Sequence, residues 1–265
     1  KENRYLTRGE LDDVAPENPV CILDKSCHAC YANSAALRLA NMTRDTPNPA
    51  HGKIHRDEHG EPNGTLWEAA MSPLYGLSME AHMEYQGGQV TELVKYNSLR
   101  HLADGITSVG DALVTPEVAE LYRQADAKKH LPIRMHQMFG GDGFFSPPEK
   151  AAMGEMGDGN VSDLLMGGTV KIFMDPVFPD PALICHHDDG TTEDIGEQYY
   201  TQDEVDHLVL NAHKRGFQLA IHCLGTRSID VAMNSVERAM KEHPRSDPRF
   251  RIEHFSYPTL EQTRR

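Results

Sequence analysis

From about Gly88 onward, hydrophobic and polar positions switch back and forth between a helical and an extended period. Val90, Leu93, Val94 and Leu102 predict a helix ending at Gly105, and Ile106-Thr-Ser-Val109 then reads as a strand. Thr115 caps a second helix with Pro116 at its first position, and Val118, Leu121, Tyr122 and Ala125 form its apolar face. Leu131 to Phe139 reads as the next strand. Residues 140–160, rich in glycine and proline, carry no legible period; a helix near Val161–Met166 and the strand Thr169-Val-Lys-Ile-Phe-Met174 follow. Beyond a loop carrying Cys185-His-His-Asp-Asp189, Thr201 and Glu204 form a capping-box pair. They open a helix with Val205, Leu208, Val209 and Ala212 on one face and Gly216 as its stop. Phe217-Gln-Leu-Ala-Ile-His222 is a strand. Ile229, Ala232, Met233, Val236, Ala239 and Met240 mark a helix that ends before Pro244, and Arg251-Ile-Glu-His254 is the last strand.

Five successive helix–strand units predict an α/β fold with a parallel sheet, either doubly wound or a (β/α)8 TIM barrel. A doubly wound sheet usually brings a glycine-rich phosphate loop, and the sequence contains neither GxGxxG nor GxxxxGK[ST]. The barrel is the expectation, with strands two to six near 105–110, 132–139, 169–174, 217–222 and 250–254. Residues 1–87 lack this rhythm and are punctuated by Pro16, Pro19, Pro47, Pro49, Pro62 and Pro73. They read as a cap-like insertion between barrel strands one and two, with residues 88–265 forming the partial barrel. Within the insertion, Pro19–Leu23 predicts a strand, Tyr31–Leu39 a helix, His51–Gly60 a polar hairpin or loop, and Glu61-Pro-Asn-Gly64 a turn.

Composition narrows the function. The 265 residues carry 26 basic and 40 acidic side chains, a net charge of −14, which argues against a nucleic-acid or anionic-membrane partner. No apolar run approaches the roughly 20 residues of a membrane span, and Lys1-Glu-Asn-Arg-Tyr5 shows no signal-peptide core. Five cysteines in a chain of this length suggest reduced thiols and a cytoplasmic location rather than a disulfide framework. A small-molecule substrate is the expected partner.

Candidate chemistry sits at strand ends. His222 and His254 each close a short apolar run, and parallel strands joined by a helix deliver their carboxyl ends to one side of the sheet, where barrel enzymes keep their chemistry. Two imidazoles there can share a metal ion, although a lone strand-end histidine is more often a hydrogen-bonded core residue. Lys171 lies inside the apolar run Val170-Lys-Ile-Phe173, where an ammonium needs compensation. Either it snorkels to water on the outer surface or pairs with Asp175, or it points into the barrel. A desolvated lysine has a lowered pKa, and its neutral amine can take up carbon dioxide to become an anionic bridge between two metals. Cys27-His-Ala-Cys30 has the spacing of half a zinc site without a second half, and His186-His187-Asp188-Asp189 is metal-like in composition, although most such runs are solvated loops.

Val170-Lys-Ile-Phe173, Ala220-Ile-His-Cys-Leu-Gly225 and Arg251-Ile-Glu-His254, in that order, resemble the amidohydrolase superfamily. Thr7-Arg-Gly-Glu-Leu-Asp12, Ala15–Val20, His28-Ala-Cys-Tyr-Ala-Asn-Ser34 and Gly64-Thr-Leu-Trp-Glu-Ala69 are similar to amidohydrolase family 3, the group of N-substituted formamide deformylase. The resemblance implies hydrolysis of non-peptide carbon–nitrogen bonds by a metal-activated water, with one or two divalent ions, zinc first among them. It implies Lys171 as the carboxylated bridging lysine of the fourth strand, and His222 and His254 as metal ligands of the fifth and sixth. His28, Glu68 and Asp175 become substrate-pocket candidates. The family's first-strand HxH pair would precede residue 1 and its proton-accepting aspartate would follow residue 265; no HxH occurs in the sequence. The resemblance therefore implies a truncated chain that associates through open edge strands and hydrolyses little by itself. Gly225-Thr226 and Asp175-Pro176 depart from the family's usual Gly-Asp and Asp-Gly, which bears on loop conformation and substrate preference. The competing class is a degenerate barrel that serves as a binding or interaction protein.

Overall fold

Five strands, β5 (Ser108–Val114), β6 (Arg134–Phe139), β7 (Leu165–Phe173), β10 (Gln218–Cys223) and β11 (Arg251–His254), lie side by side in chain order, and every pairing among them is parallel. This is a computed structural model of the chain, and it describes residues 4–86, 89–140, 161–187 and 189–265. The unreversed strand order excludes a doubly wound sheet, whose order turns back at a switch point. It is the order of one side of a (β/α)8 barrel, here five strands of eight.

The chain divides into two compact units: Lys1–Tyr85 with Pro176–Pro179, and Gln86–Asp175 with Asp180–Arg265. Among the described residues of the second unit the helices are α4 (Val90–Ala103), α5 (Pro116–Ala127), α6 (Gln202–Lys214), α7 (Thr226–Glu242) and the short α8 (Leu260–Arg264), and β8 (Leu183–His186) and β9 (Thr192–Ile195) form a separate antiparallel hairpin. Helix starts follow local chemistry. Thr115 accepts from Val118 N at the head of α5, and Thr201 and Glu204 form the predicted capping box of α6. Strand alternation sorts the side chains. Val170, Ile172 and Met174 of the β7 segment and Leu219, Ile221 and Cys223 of β10 are buried in one cluster with Val205, Val209 and Ala212 of α6 and Ile229, Ala232 and Ala239 of α7. The intervening positions therefore face the opposite, inner side of the sheet.

Two readings of this unit need correction. The helix expected near Val161–Met166 is absent: the Ser162 hydroxyl accepts from Leu164 N and Leu165 N, closing a turn, and β7 begins at Leu165. Leu165 is fully buried with Leu131 and Ile133, so its apolar character served the sheet. The loop expected at Cys185–Asp189 is in part the hairpin strand β8. Residues 141–160, which had no legible period, lie outside the described residues.

The first unit is a four-stranded antiparallel sheet of order β1-β2-β4-β3, with β1 at Cys21–Leu23, β2 at Ala29–Ala32, β3 at Gly52–Arg56 and β4 at Pro62–Glu68. Around it are α1 (Arg8–Val14), α2 (Ser34–Leu39) and α3 (Ser72–Gln86). The predicted Tyr31–Leu39 helix is divided: Tyr31 belongs to β2, and Asn33, accepting from Ala36 N at 2.9 Å, caps a shorter helix. Of the expected turn at Glu61–Gly64, Pro62 to Gly64 are likewise strand. The reversal comes earlier, where Asp57 accepts from His59 N and Glu61 N and Gly60 takes φ 81°. Gly64 serves close approach instead, since a Cβ there would meet Ala32 O at 2.4 Å. Pro73, taken as punctuation, stands in the first turn of α3, where no backbone donor is needed. Among the described residues no helix is long and apolar enough to cross a membrane.

Candidate metal centre

Register decides which side chains meet. In the β7–β10 ladder Lys171 is opposite Ala220 and Phe173 opposite His222; in the β10–β11 ladder Ala220 is opposite Arg251 and His222 opposite Glu253. Cross-strand partners share a face. The inner face thus carries Lys171, Phe173, His222, Arg251 and Glu253 together, with Lys171 2% and His222 1% exposed.

Lys171 does not snorkel to an outer surface. Its Nζ lies over the Phe173 ring, 4.8 Å from the centroid, and burial pushes its pKa from 10.5 down to about 8, partly offset by the Glu253 carboxylate. Glu253 is pushed up by burial, but the Arg251 guanidinium, bonded to it at 2.6 Å, holds it below its usual value overall. The alternative partner for Lys171, Asp175, is engaged elsewhere.

His254 is directly opposite Cys223, and simple alternation would put it on the helix side with that residue. Its backbone instead leaves the extended region, with φ 69°. The rings of His254 and His222 meet edge to face with centroids 4.5 Å apart, and Phe173 lies 5.2 Å from the His222 ring. The strand exits are fastened to each other: Phe255 N donates to Cys223 O and Tyr257 N to Leu224 O. His254 is exposed and His222 buried, so the pair forms a rim-and-floor arrangement at the carboxyl ends of β10 and β11.

Asp175, just beyond β7, is 1% exposed. It accepts from Leu224 N at 2.9 Å, Gly225 N at 2.8 Å, Ser228 Oγ at 2.7 Å and Ala182 N at 3.2 Å. Burial pushes its carboxyl above the usual range, against the pull of those donors. These bonds give it a scaffold position rather than a place on an open pocket wall. His136 on β6, which sequence reasoning passed over, is half-buried, and its Nε2 meets Thr169 Oγ1 at 2.7 Å. Burial lowers its pKa, and the charge of Arg251 lowers it further, which ties it electrostatically to the same face. Only the ladder register could have revealed His136, Arg251 and Glu253, because their spacing in sequence resembles no site.

In the first unit, His28 Nδ1 and Glu68 Oε2 are 2.7 Å apart, and Glu68 Oε1 accepts from Val177 N and Phe178 N. Glu68 is 2% exposed and left-handed at φ 51°. Cys27 is exposed while Cys30 is buried and hydrogen bonded to Cys21, so the CxxC thiols do not converge. His187 pairs with Glu193 across the β8–β9 hairpin, and Asp189 bonds Thr191; Asp188 lies outside the described residues.

For a divalent metal, the donor set on the inner face fits in kind: two imidazoles brought together and an amine whose proton is loosely held. No group of three or more His, Cys, Asp or Glu side chains suited to a metal occurs among the described residues.

The amidohydrolase family 3 profile, described as "Amidohydrolase family", matches residues 1–265. The chain is 41% identical over 262 residues to N-substituted formamide deformylase of Arthrobacter pascens, covering 96% of this chain and 47% of that protein. It is 27% identical to a putative amidohydrolase of Bacillus subtilis (strain 168), covering 92% of this chain and 45% of that one. The chain thus spans about half the length of these curated relatives. Two crystal structures share the fold, both titled uncharacterized metal-dependent hydrolases. The one from Pyrococcus furiosus has a TM-score of 0.63 at 19% identity, covering 98% of this chain and 50% of that one. The one from Pyrococcus horikoshii OT3 has a TM-score of 0.64 at 22% identity, covering 98% and 48%. The strand-end histidines, the inward lysine and a profile match along the whole chain lead to one conclusion: the chain belongs to the amidohydrolase family.

Proposed function

We propose that the protein is a metal-dependent hydrolase of non-peptide carbon–nitrogen bonds, with amides of the formamide type as substrates. The observation that carries this reading is the meeting of the His222 and His254 rings, 4.5 Å between centroids, at neighbouring strand ends. The 41% identity to a formamide deformylase supports the bond type. In this reading His222, His254 and a carboxylated Lys171 hold the ion, zinc first among candidates. Bound there, the ion would supply a water of lowered pKa and polarise the scissile carbonyl.

The chain's own residues have definable tasks. Burial of Lys171 makes its neutral amine accessible near pH 8, the form that takes up carbon dioxide. The Lys171 Nζ rests over the Phe173 ring, and Glu253, paired with Arg251, balances charge on the same face. His28 with Glu68 is the first unit's candidate for substrate contact.

A second reading is a non-catalytic binding protein built on the same strands. Turnover separates the two. With zinc present, N-formyl and N-acyl amines are offered to the natural full-length protein and to its Lys171→Ala variant. The hydrolase reading expects chelator-sensitive release of amine, abolished in the variant and partly restored by added short carboxylic acids. An unchanged rate in the variant would return Lys171 to a packing role, and no turnover in the wild type would favour the binding protein.

A further inference from the structure

The carboxylate of Asp175 is buried among four donors, and they are not a random set. Leu224 N and Gly225 N belong to the turn that follows His222 by two and three residues, and Ser228 lies in the first turn of α7. Helix α7 starts at a glycine cap, Gly225, which offers no side-chain bond of its own. The first-turn amide Arg227 N is taken by Ala182 O at 3.0 Å, while Asp175 binds the two amides just before the helix and Ser228 Oγ, with its negative charge at the helix's positive end. Gly225 cannot be replaced by a self-capping residue, because any Cβ there would fall 1.9 Å from Ala182 O.

His222 is therefore held from both sides along the chain. Its own carbonyl accepts from Met174 N at 3.0 Å, one residue before Asp175, and the amide two residues after it is bound by Asp175. Its ring meets those of Phe173 and His254, and its Nε2 is 3.6 Å from Asp175 Oδ1. That separation is longer than a hydrogen bond, so the direct contact is electrostatic and the turn supplies the rigidity.

We infer that Asp175 is a positioning residue for His222: it fixes the turn that carries the imidazole and, by facing Nε2, holds the neutral ring with its proton on that nitrogen. A carboxylate beside one ring nitrogen fixes the tautomer and raises the basicity of the other, which is how ligating histidines are prepared for metal. The consequence for metal affinity rests on the reading of His222 as a ligand; the tautomer assignment does not.

The test uses the natural full-length protein, uniformly 15N-labelled and without metal, at a pH where the imidazole is neutral. The His222 ring shifts are expected to report a proton on Nε2 in the wild type. In Asp175→Asn, with its helical signal checked by circular dichroism, the ring should become a mixture of tautomers. Ser228→Ala, which removes one donor but keeps the carboxylate, should leave the proton on Nε2. Zinc titration should then show affinity reduced by roughly 10–100-fold in Asp175→Asn. A wild-type proton on Nδ1, or a tautomer unmoved in a folded Asp175→Asn, overturns the proposal. If Asp175→Asn fails to fold, the wild-type and Ser228→Ala spectra decide. A wild type that binds no zinc while its tautomer depends on Asp175 supports the positioning role and overturns the metal reading alone.

Discussion

Lys171 shows how much a single residue can disclose. An ammonium in an apolar run is costly unless compensated, and here the surrounding face offers only a partial offset from Glu253. Below about pH 8 the folded and unfolded chains both carry the proton, and burial costs its full amount. As pH rises from about 8 toward 10.5, the unfolded chain keeps a proton that the folded chain sheds, so stability should increase, by roughly 3 kcal/mol at most. Chemical denaturation across this window checks it. Lys171→Met should lose the rise, and a wild type without any difference from that variant would mean the amine is solvated. His254 and Asp175 were harder to read than the lysine. The left-handed φ of 69° that brings His254 to His222 is a tertiary outcome with no glycine to announce it. The bonds of Asp175 reach Ala182, Leu224, Gly225 and Ser228, seven to 53 residues away, so its sequence neighbours say nothing of them.

At the scale of elements, periodicity was informative where one face is buried. α6, α7 and β10 follow from the spacing of Val205, Val209, Ala212, Ile229, Ala232, Leu219 and Ile221 because those residues form one core. The reading failed where a residue type served two purposes. Glycine permits turns, but Gly64 instead allows β4 to approach Ala32. Val161–Met166 misleads because a short apolar run does not distinguish a helix from the start of a strand. The same close-packing logic makes Gly225 a sharp test. At φ −90° its backbone suits any residue, so the expected cost of Gly225→Ala is steric: the new Cβ would overlap Ala182 O. A loss of roughly 3 kcal/mol is expected from thermal or denaturant unfolding. A variant as stable as the wild type would show that the β8-side segment yields easily and that the turn after β10 is not rigid.

For the whole molecule, five parallel strands in chain order present their carboxyl ends on one side, and the family assignment gives that side its meaning. The central claim is that His222 and His254 bind one metal ion together. Crystals of the chain equilibrated with zinc and measured at the zinc absorption edge test it most directly. The account predicts an anomalous peak in contact with both imidazoles, and its loss in both His222→Ala and His254→Ala. Zinc found elsewhere, with no peak between those two rings, would contradict it.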